Sequence, residues 1–360
     1  MSTFSRYILR VFFLQMALLL ISFTALLQVF DLLSNSIEVL NRGGGHFSAL
    51  ALYAVLRLPE IVSFLTPFAV LLATLMTLGR LERDNEILAY KAAGAPYNAV
   101  LLSFLPAVIL VGLAHFALAD QIVPRAINAM VQRDIYVDRS SKDDDEAVFI
   151  QDGRSVIEVT SVGKYGATLK QTRIYERGDN GILNRVRQAA EAHYDTKQRQ
   201  WTLRDVWITS IIPDQPSQAE HRAEMTWETT LTPAEFSNLI ELPQAMTLAK
   251  IWSFATSADV GVRPTYFYEA WLQKRFSLPM SSILMILLAA PVAHSLYRRD
   301  RGLAAGMAIG FGLGFLYFIS DGLVMSLGET GAVPPVVAAW MPILVFASVG
   351  GAWLIRLEGY

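Results

Sequence analysis

Residues 11–33 read VFFLQMALLLISFTALLQVFDLL, a run in which Asp31 is the single ionisable side chain. A bilayer core of about 30 Å is crossed by about 20 apolar residues in a helix. The run is therefore long enough to span. It exceeds the apolar core of a secretory signal, and no small-x-small cleavage site follows it, so it reads as a retained helix. Five further runs qualify: 60–79, opened by Pro59 and carrying Pro67; 99–119; 276–297, with Pro279 and Pro291; 303–325; and 335–355. Internal prolines suit membrane helices better than soluble ones. The six runs fall three and three about a polar middle.

The charges follow that division. Of the 62 Lys, Arg, Asp and Glu residues, 40 lie within 121–275. Apolar residues reach 53% of the chain and charged residues only 17%, against ordinary values of about 45–50% and 25%. This pattern argues against a single soluble enzyme, and the apolar content excludes a disordered chain. The formal net charge of −2 gives no footing for nucleic acid. With no cysteine there is no disulfide, thiolate nucleophile or Cys-ligated metal.

Basic residues orient the spans. With the N-terminus inside, Arg6, Arg10, Arg80, Arg83, Lys91, Arg298, Arg299, Arg301 and Arg356 are cytoplasmic, and only Arg42 and Arg57 lie in short outside loops. Both termini are then cytoplasmic and the polar insert is outside. Trp271, Trp340 and Trp353 fall near span ends, as interfacial aromatics do. Within the insert, residues 156–160, 168–175 and 201–208 alternate at period two, the mark of half-buried strands. Asp152-Gly153, Gly178-Asp179-Asn180-Gly181 and the pair Pro213 and Pro216 separate them as turns. An antiparallel sandwich or roll is expected. The run Lys142–Glu146 reads as a solvated loop, since it lacks a calcium loop's glycine and closing glutamate.

Between the second and third spans, residues 82–93 hold good helix formers, and Gly94 with Pro96 stops them. Ile87, Leu88 and Lys91 take adjacent helical positions, as do Arg83, Glu86 and Tyr90. This short amphipathic elbow reads either as a polar connector or as a dock for a cytoplasmic partner, and its residue pattern leaves both open.

The stretch Leu78-Gly79-Arg80-Leu81, Glu86-Ile87 and Ala93-Gly94 resembles the coupling-helix signature of the LptF/LptG permeases, membrane subunits of the lipopolysaccharide export ABC transporter. Arg6-Tyr7, Phe30-Asp31, Pro59, Pro67-Phe68, Val123-Pro124, Trp201 with Leu203, Gly331, Pro334-Pro335 and Pro342 match the same family in order and spacing. The Pro-Pro end and Thr226-Trp227 with Leu231-Thr232-Pro233 resemble the LptG branch more than the LptF branch.

The resemblance implies an α-helical membrane protein with six transmembrane helices (3+3) and a periplasmic all-β jellyroll-like domain. Residues 1–124 would carry the first three helices with a coupling helix at 82–94. Residues 125–265 would form the β domain, and 266–360 the last three helices. It further implies a heterodimer with an LptF-type permease, an LptB-type ATPase dimer below, and an LptC-type single-span protein beside the first span. The cargo would be lipopolysaccharide, drawn from the inner membrane and passed to a periplasmic bridge. Glu86 would enter a groove of the ATPase, with Arg83, Asp84 and Gly94 as its neighbours. No catalytic residue, metal or cofactor is implied, and no nucleic acid.

Ionisable groups inside a membrane are costly. Asp31, Asp120 and Asp321, with His115 and Gln28, lie toward the outer ends of spans. They read either as end groups reaching interfacial water or as the lining of a cavity that opens outward. Gln28, Asp31, Phe68, Arg133 and Asp321 form the expected cargo set. Many LptG sequences carry basic residues around the outer end of the first span. Here Gln28 and Asn35 stand there, with Glu60 at the start of the second span. Either cargo charge is met by Arg42, Arg57 or Arg133, or the cargo's head-group charge differs. In the fifth span Gly302, Gly306, Gly310 and Gly314 form a ladder at spacing four, with Gly312 beside it. Such a face lets helices approach closely, within the subunit or against a partner.

No G-x-x-x-x-G-K-[ST], H-E-x-x-H or G-x-S-x-G occurs. An intramembrane enzyme thus has no visible catalytic set. A mechanotransmitting ABC permease would place its large domain after the first span. A secondary transporter would show inverted repeats. A non-transporting anchor would need no elbow.

Overall fold

A computed structural model describes residues 3–94, 97–133, 135–136, 148–152, 155–162, 166–178, 182–196, 198–211, 218–229, 231–233, 236, 242–256, 263–297 and 303–358. Gly302, Pro96, Gly153, Asp179–Gly181, Pro213, Pro216, the run Lys142–Glu146 and the arginines at 298, 299 and 301 lie outside that set. The chain divides into a helical unit and a β unit. The helical unit takes in 1–135, 243–256 and 265–360, so its edges fall at other residues than 124 and 265.

Among the described residues of the helical unit, six helices are long and apolar enough to cross a membrane. In chain order the helices are α1 (Thr3–Arg42), α2 (Phe47–Arg83), α3 (Glu86–Ala92), α4 (Tyr97–Leu102), α5 (Leu105–Ala117), α6 (Val123–Gln132), α7 (Leu248–Thr256), α8 (Thr265–Tyr297), α9 (Leu303–Glu329) and α10 (Pro335–Glu358). A π turn, Leu118–Ile122, joins α5 to α6 as one span. It falls where Pro124 removes the amide that the Asp120 carbonyl would use.

The helices outrun the hydropathy. At 1.5 Å per residue the 40 residues of α1 reach about 60 Å, twice an apolar core. In α2, Pro67 deprives the Ser63 carbonyl of its helical donor. His115 Nε2 stands 3.2 Å from the Ser63 hydroxyl, and Thr66 donates back to the Val62 carbonyl at 2.7 Å. The most apolar windows of α2 and α8 are 72% and 67% buried, against 17% for α1 and α9. The first pair is the centre of the bundle and the second its flanks. Ile8, Phe12, Leu71, Leu78, Leu81, Phe104, Met285 and Leu288 are among the core residues.

The β unit is one six-stranded antiparallel sheet in chain order: β1 (Val148–Asp152), β2 (Ser155–Val162), β3 (Thr168–Arg177), β4 (Leu183–Asp195), β5 (Gln200–Ser210) and β6 (Gln218–Trp227). In β3 and β5 the expected period of two holds until one transverse line, where it inverts. In β5, Trp201 and Leu203 point inward, then Val206 and Ile208. In β3, Leu169 is inward, then Thr172 and Ile174. The inversions fall at Gln171 and Asp205, both left-handed with φ 49° and 51°. Thr160, Gln171, Ala190, Asp205 and Ala223 occupy matching gaps in the strand pairings. The line creases the sheet and lets one face close over Ile157, Leu169, Ala192, Trp201, Trp227 and Phe236. Trp201 donates its indole N–H to the Leu231 carbonyl at 2.9 Å, so the two stretches 201–203 and 231–233 meet. Glu158 accepts from Tyr175 at 2.6 Å and Arg173 at 3.1 Å, and the first of these bonds holds the Tyr175 phenol above its ordinary value.

Candidate functional site

The elbow begins where α2 ends. The expected helix over 82–93 is in fact two pieces: α2 runs through Arg83, and α3 starts at Glu86. Asn85 sits between them with φ 55°, a conformation that asparagine tolerates and that breaks the helical ladder. Arg83 therefore does not share a face with Glu86 and Tyr90. Gly94, with φ +87°, closes α3 in the left-handed geometry that favours glycine. Within α3, Ile87 is buried in the bundle core, while Leu88, Ala89 and Lys91 face outward. Arg83 and Asp84 are exposed, the latter 3.6 Å from Arg80.

Glu86 is half-buried and faces α1. Tyr7 donates its hydroxyl to Glu86 Oε1 at 3.0 Å. One turn on, Tyr90 stacks on Phe4 with ring centroids 4.4 Å apart and 15° between planes. Phe4 and Tyr7 are three residues apart on α1, and Glu86 and Tyr90 four apart on α3, so each pair presents one edge. Ser5 adds a bond to Ser103, at the turn between α4 and α5, at 3.2 Å. Just before the elbow, Glu82 is 4% exposed and lies 3.5 Å from His294 of α8. The sequence reading missed this pair, since a glutamate among Arg80, Arg83 and Asp84 reads as surface.

The expected cargo residues do not form one group. Asp31 is buried at the far end of α1, where Tyr53 donates to it at 2.7 Å and Asn35 at 3.3 Å. Arg57 lies 3.5 Å away and also pairs with Glu60. Asp321 pairs with Lys274 across α8 and α9. Phe68 belongs to an aromatic cluster with Phe23, Phe311 and Phe318. Arg133 is exposed at the end of α6, donating to the Ala129 carbonyl at 3.2 Å. Gln28 differs from all of these: its amide nitrogen and oxygen are both buried without a hydrogen-bond partner among the described residues, and so is the hydroxyl of Thr24, one turn earlier.

The glycine ladder packs α9 on α2. A Cβ on Gly314 would lie 2.7 Å from the Phe68 ring, and one on Gly310 would collide with Leu75. Gly306 is buried, and Gly312 faces open space.

Arg275 is the main group the sequence did not reveal. It is 5% exposed in α8. It donates to the Ala119 carbonyl, to Pro243 and Gln244 at 3.4 and 3.3 Å, and to Met246 at 3.0 Å. Asp120 accepts from the Leu248 amide and from Gln121 beside it. The π turn, α7 and α8 are joined there. The only sequence signal was a cation abutting an apolar run.

The model of the lipopolysaccharide export system permease LptF/LptG family matches residues 6–356. The chain belongs to the LptF/LptG family. The lipopolysaccharide export system permease protein LptG of Escherichia coli (strain K12) is 23% identical over 345 residues, covering 94% of this chain and 92% of that protein. The protein of the same name in Haemophilus influenzae is 22% identical over 301 residues, 82% of each chain. The LptF/LptG chain described here is thus a multi-pass membrane protein of a permease family, and the relatives it matches carry the LptG name, the branch its Pro-Pro end resembles.

Proposed function

We propose that the chain is the LptG-type half of an ABC transporter that draws lipopolysaccharide out of the inner membrane and hands it to a periplasmic bridge. What carries the reading is the extent of the family match, which takes in the elbow and both triplets of spans at once. An LptF-type permease would complete the translocation unit, an LptB-type ATPase dimer would hydrolyse ATP beneath it, and an LptC-type single-span protein would flank the first span. Both termini would face the cytoplasm and the β unit the periplasm, as the bias of basic residues supports.

The elbow is the proposed ATPase dock, centred on Glu86, with Arg83, Asp84 and Gly94 around it. A carboxylate has about four lone-pair sites, and Tyr7 uses one of them. Charge-assisted bonds from a partner's arginine or amides contribute about 1.5–3 kcal/mol each. For the cargo, Gln28 is the residue best supported, because its buried amide is unmatched within the described residues. Phe68 and Arg133 stand beside it in the proposal. Asp321 would act through Lys274, which holds it, whereas Asp31, held by Tyr53, Asn35 and Arg57 together, would anchor α1 to α2.

The test is co-expression with the partner permease and the ATPase. Glu86→Ala should lower ATPase copurification and lipopolysaccharide release, and Glu86→Lys should abolish them by repulsion in a basic groove, with membrane insertion unchanged. Normal assembly and release in Glu86→Lys would make the elbow a connector and remove the dock.

A further inference from the structure

We propose that Tyr7 is a positioning residue for Glu86. The Phe4–Tyr7 edge of α1 and the Glu86–Tyr90 edge of α3 would form a clamp that stays closed while the transporter works. The inference rests on the reading of the elbow as the ATPase dock.

Besides the apolar burial of Ile87 in the core, two routes lead from α3 into the bundle. The covalent route runs back into α2 through Asp84 and Asn85, where the left-handed residue interrupts the helix. The other end of α3 is Gly94, also left-handed. Both junctions lack a continuous helical ladder and transmit rotation poorly. The side-chain route runs sideways into α1 through a hydroxyl–carboxylate bond at 3.0 Å and a ring stack at 4.4 Å, one turn apart. Two contacts one turn apart fix orientation as well as distance.

α1 is built to receive such a push. It is one 40-residue helix without an internal proline, and little of its apolar window is buried. Its opposite end is tied to α2 by Asp31, Asn35, Tyr53 and Arg57. Ile8, next to Tyr7, and Phe12 pack in the bundle core, and Gln15 accepts from Thr77 of α2, so a displacement of the elbow would reach the first span together with the core it packs on. The bond to Tyr7 occupies Glu86 Oε1. It thereby orients Glu86 Oε2 for an outside donor.

The chain has no cysteine, so a thiol pair can be introduced cleanly. The experiment uses the full complex, with cysteine-free partners, reconstituted in proteoliposomes with lipopolysaccharide. Tyr7→Phe keeps the ring and removes the hydroxyl. It should insert and copurify with the ATPase, yet release about tenfold less lipopolysaccharide per ATP hydrolysed. Tyr7→Phe combined with Glu86→Ala should be no worse than Glu86→Ala alone, since both remove the same bond. A Phe4→Cys/Tyr90→Cys pair joined by a short bis-methanethiosulfonate, in which each thiolate displaces methanesulfinate to form a reducible mixed disulfide, should keep release coupled to hydrolysis.

A wild-type ratio in Tyr7→Phe, with Glu86→Ala defective, would overturn the clamp and leave the dock standing. Normal behaviour of Glu86→Ala and Glu86→Lys would overturn both. A cross-link that stops release, with recovery on cleavage, would show that the clamp must open and would also overturn it. Should Tyr7→Phe fail to insert, the cross-link alone decides.

Discussion

The first helix holds a carboxylate at each end, and the two are treated in opposite ways. In its C-terminal third Asp31 is 5% exposed and meets Tyr53, Asn35 and Arg57 together. At its N-terminal end Tyr7 gives a single hydroxyl to Glu86, which is half-open to its surroundings. A buried carboxylate with several partners makes structure, because its removal leaves each partner unsatisfied. A half-open carboxylate with one partner keeps acceptor sites for something outside the chain. The same helix is thus anchored at one end and connected at the other. An intramembrane carboxylate is a functional candidate by default, which puts Asp31 in the expected cargo set. Its three partners favour an anchor, and Asp31→Ala decides between the two roles.

The largest effect is expected at the most closed polar site. Arg275→Ala would leave the carbonyls of Ala119, Pro243, Gln244 and Met246 without their donor. A loss of about 3–5 kcal/mol of stability is expected. Thermal unfolding in detergent, followed by size-exclusion, should show a chain that is mostly lost. Arg275→Lys should recover part of the loss, since one ammonium reaches fewer carbonyls than a guanidinium fork. Equal stability of Arg275→Ala and the parent chain would show that this region is held by apolar packing.

Asp31→Ala comes next, at about 2–4 kcal/mol, because Tyr53, Asn35 and Arg57 lose a shared acceptor. In the complex that survives, lipopolysaccharide released per ATP should match the parent. That outcome separates an anchor from a cargo contact. A collapsed ratio with unchanged melting would reverse the assignment of the two ends.

Gly314→Ala should cost about 1–3 kcal/mol, by overpacking. The new Cβ would lie 2.7 Å from the Phe68 ring, which is itself wedged against Phe23, Phe311 and Phe318. A Gly314→Ala chain that melts with the parent would mean the aromatic cluster yields, and that α9 slides on α2 with little resistance. Gly312→Ala, facing open space, is the control and should be neutral.

Much of this architecture was legible because it follows from local periodicity. Six apolar runs gave six spans, and alternation gave strands. Helix ends were less legible. α8 starts at Thr265, eleven residues before its apolar run, because Lys274 and Arg275 find partners inside the bundle and the helix need not stop at them. The crease in the sheet was hidden because Gln171 and Asp205 carry no turn signature, and only the pairing of five strands makes their backbone geometry useful. Long-range polar pairings were hidden for a simpler reason. Arg275 and Ala119 are 156 residues apart, and a backbone carbonyl has no sequence signal. At the elbow, Glu86 could be singled out by resemblance, and Tyr7 lay in the same family signature, but nothing in either stretch says that they touch.

The smallest effect on stability should come from the open end of the comparison. Leu88 is 64% exposed on α3, while its neighbour Ile87 is buried. Leu88→Ser should leave melting within about 0.5 kcal/mol, the range of ordinary surface substitutions. Ile87→Ser should cost several times more, since it removes a core side chain and buries a hydroxyl. If the elbow is a dock, Leu88→Ser still weakens ATPase copurification, because an exposed leucine on the outward face of the elbow supplies apolar area to an interface. The paired measurement is melting of the isolated chain and recovery of the ATPase with it. Loss of the second without the first places the cost of Leu88 in binding. Loss of neither would leave Leu88 as an ordinary exposed residue and would confine the dock to Glu86 and its immediate neighbours.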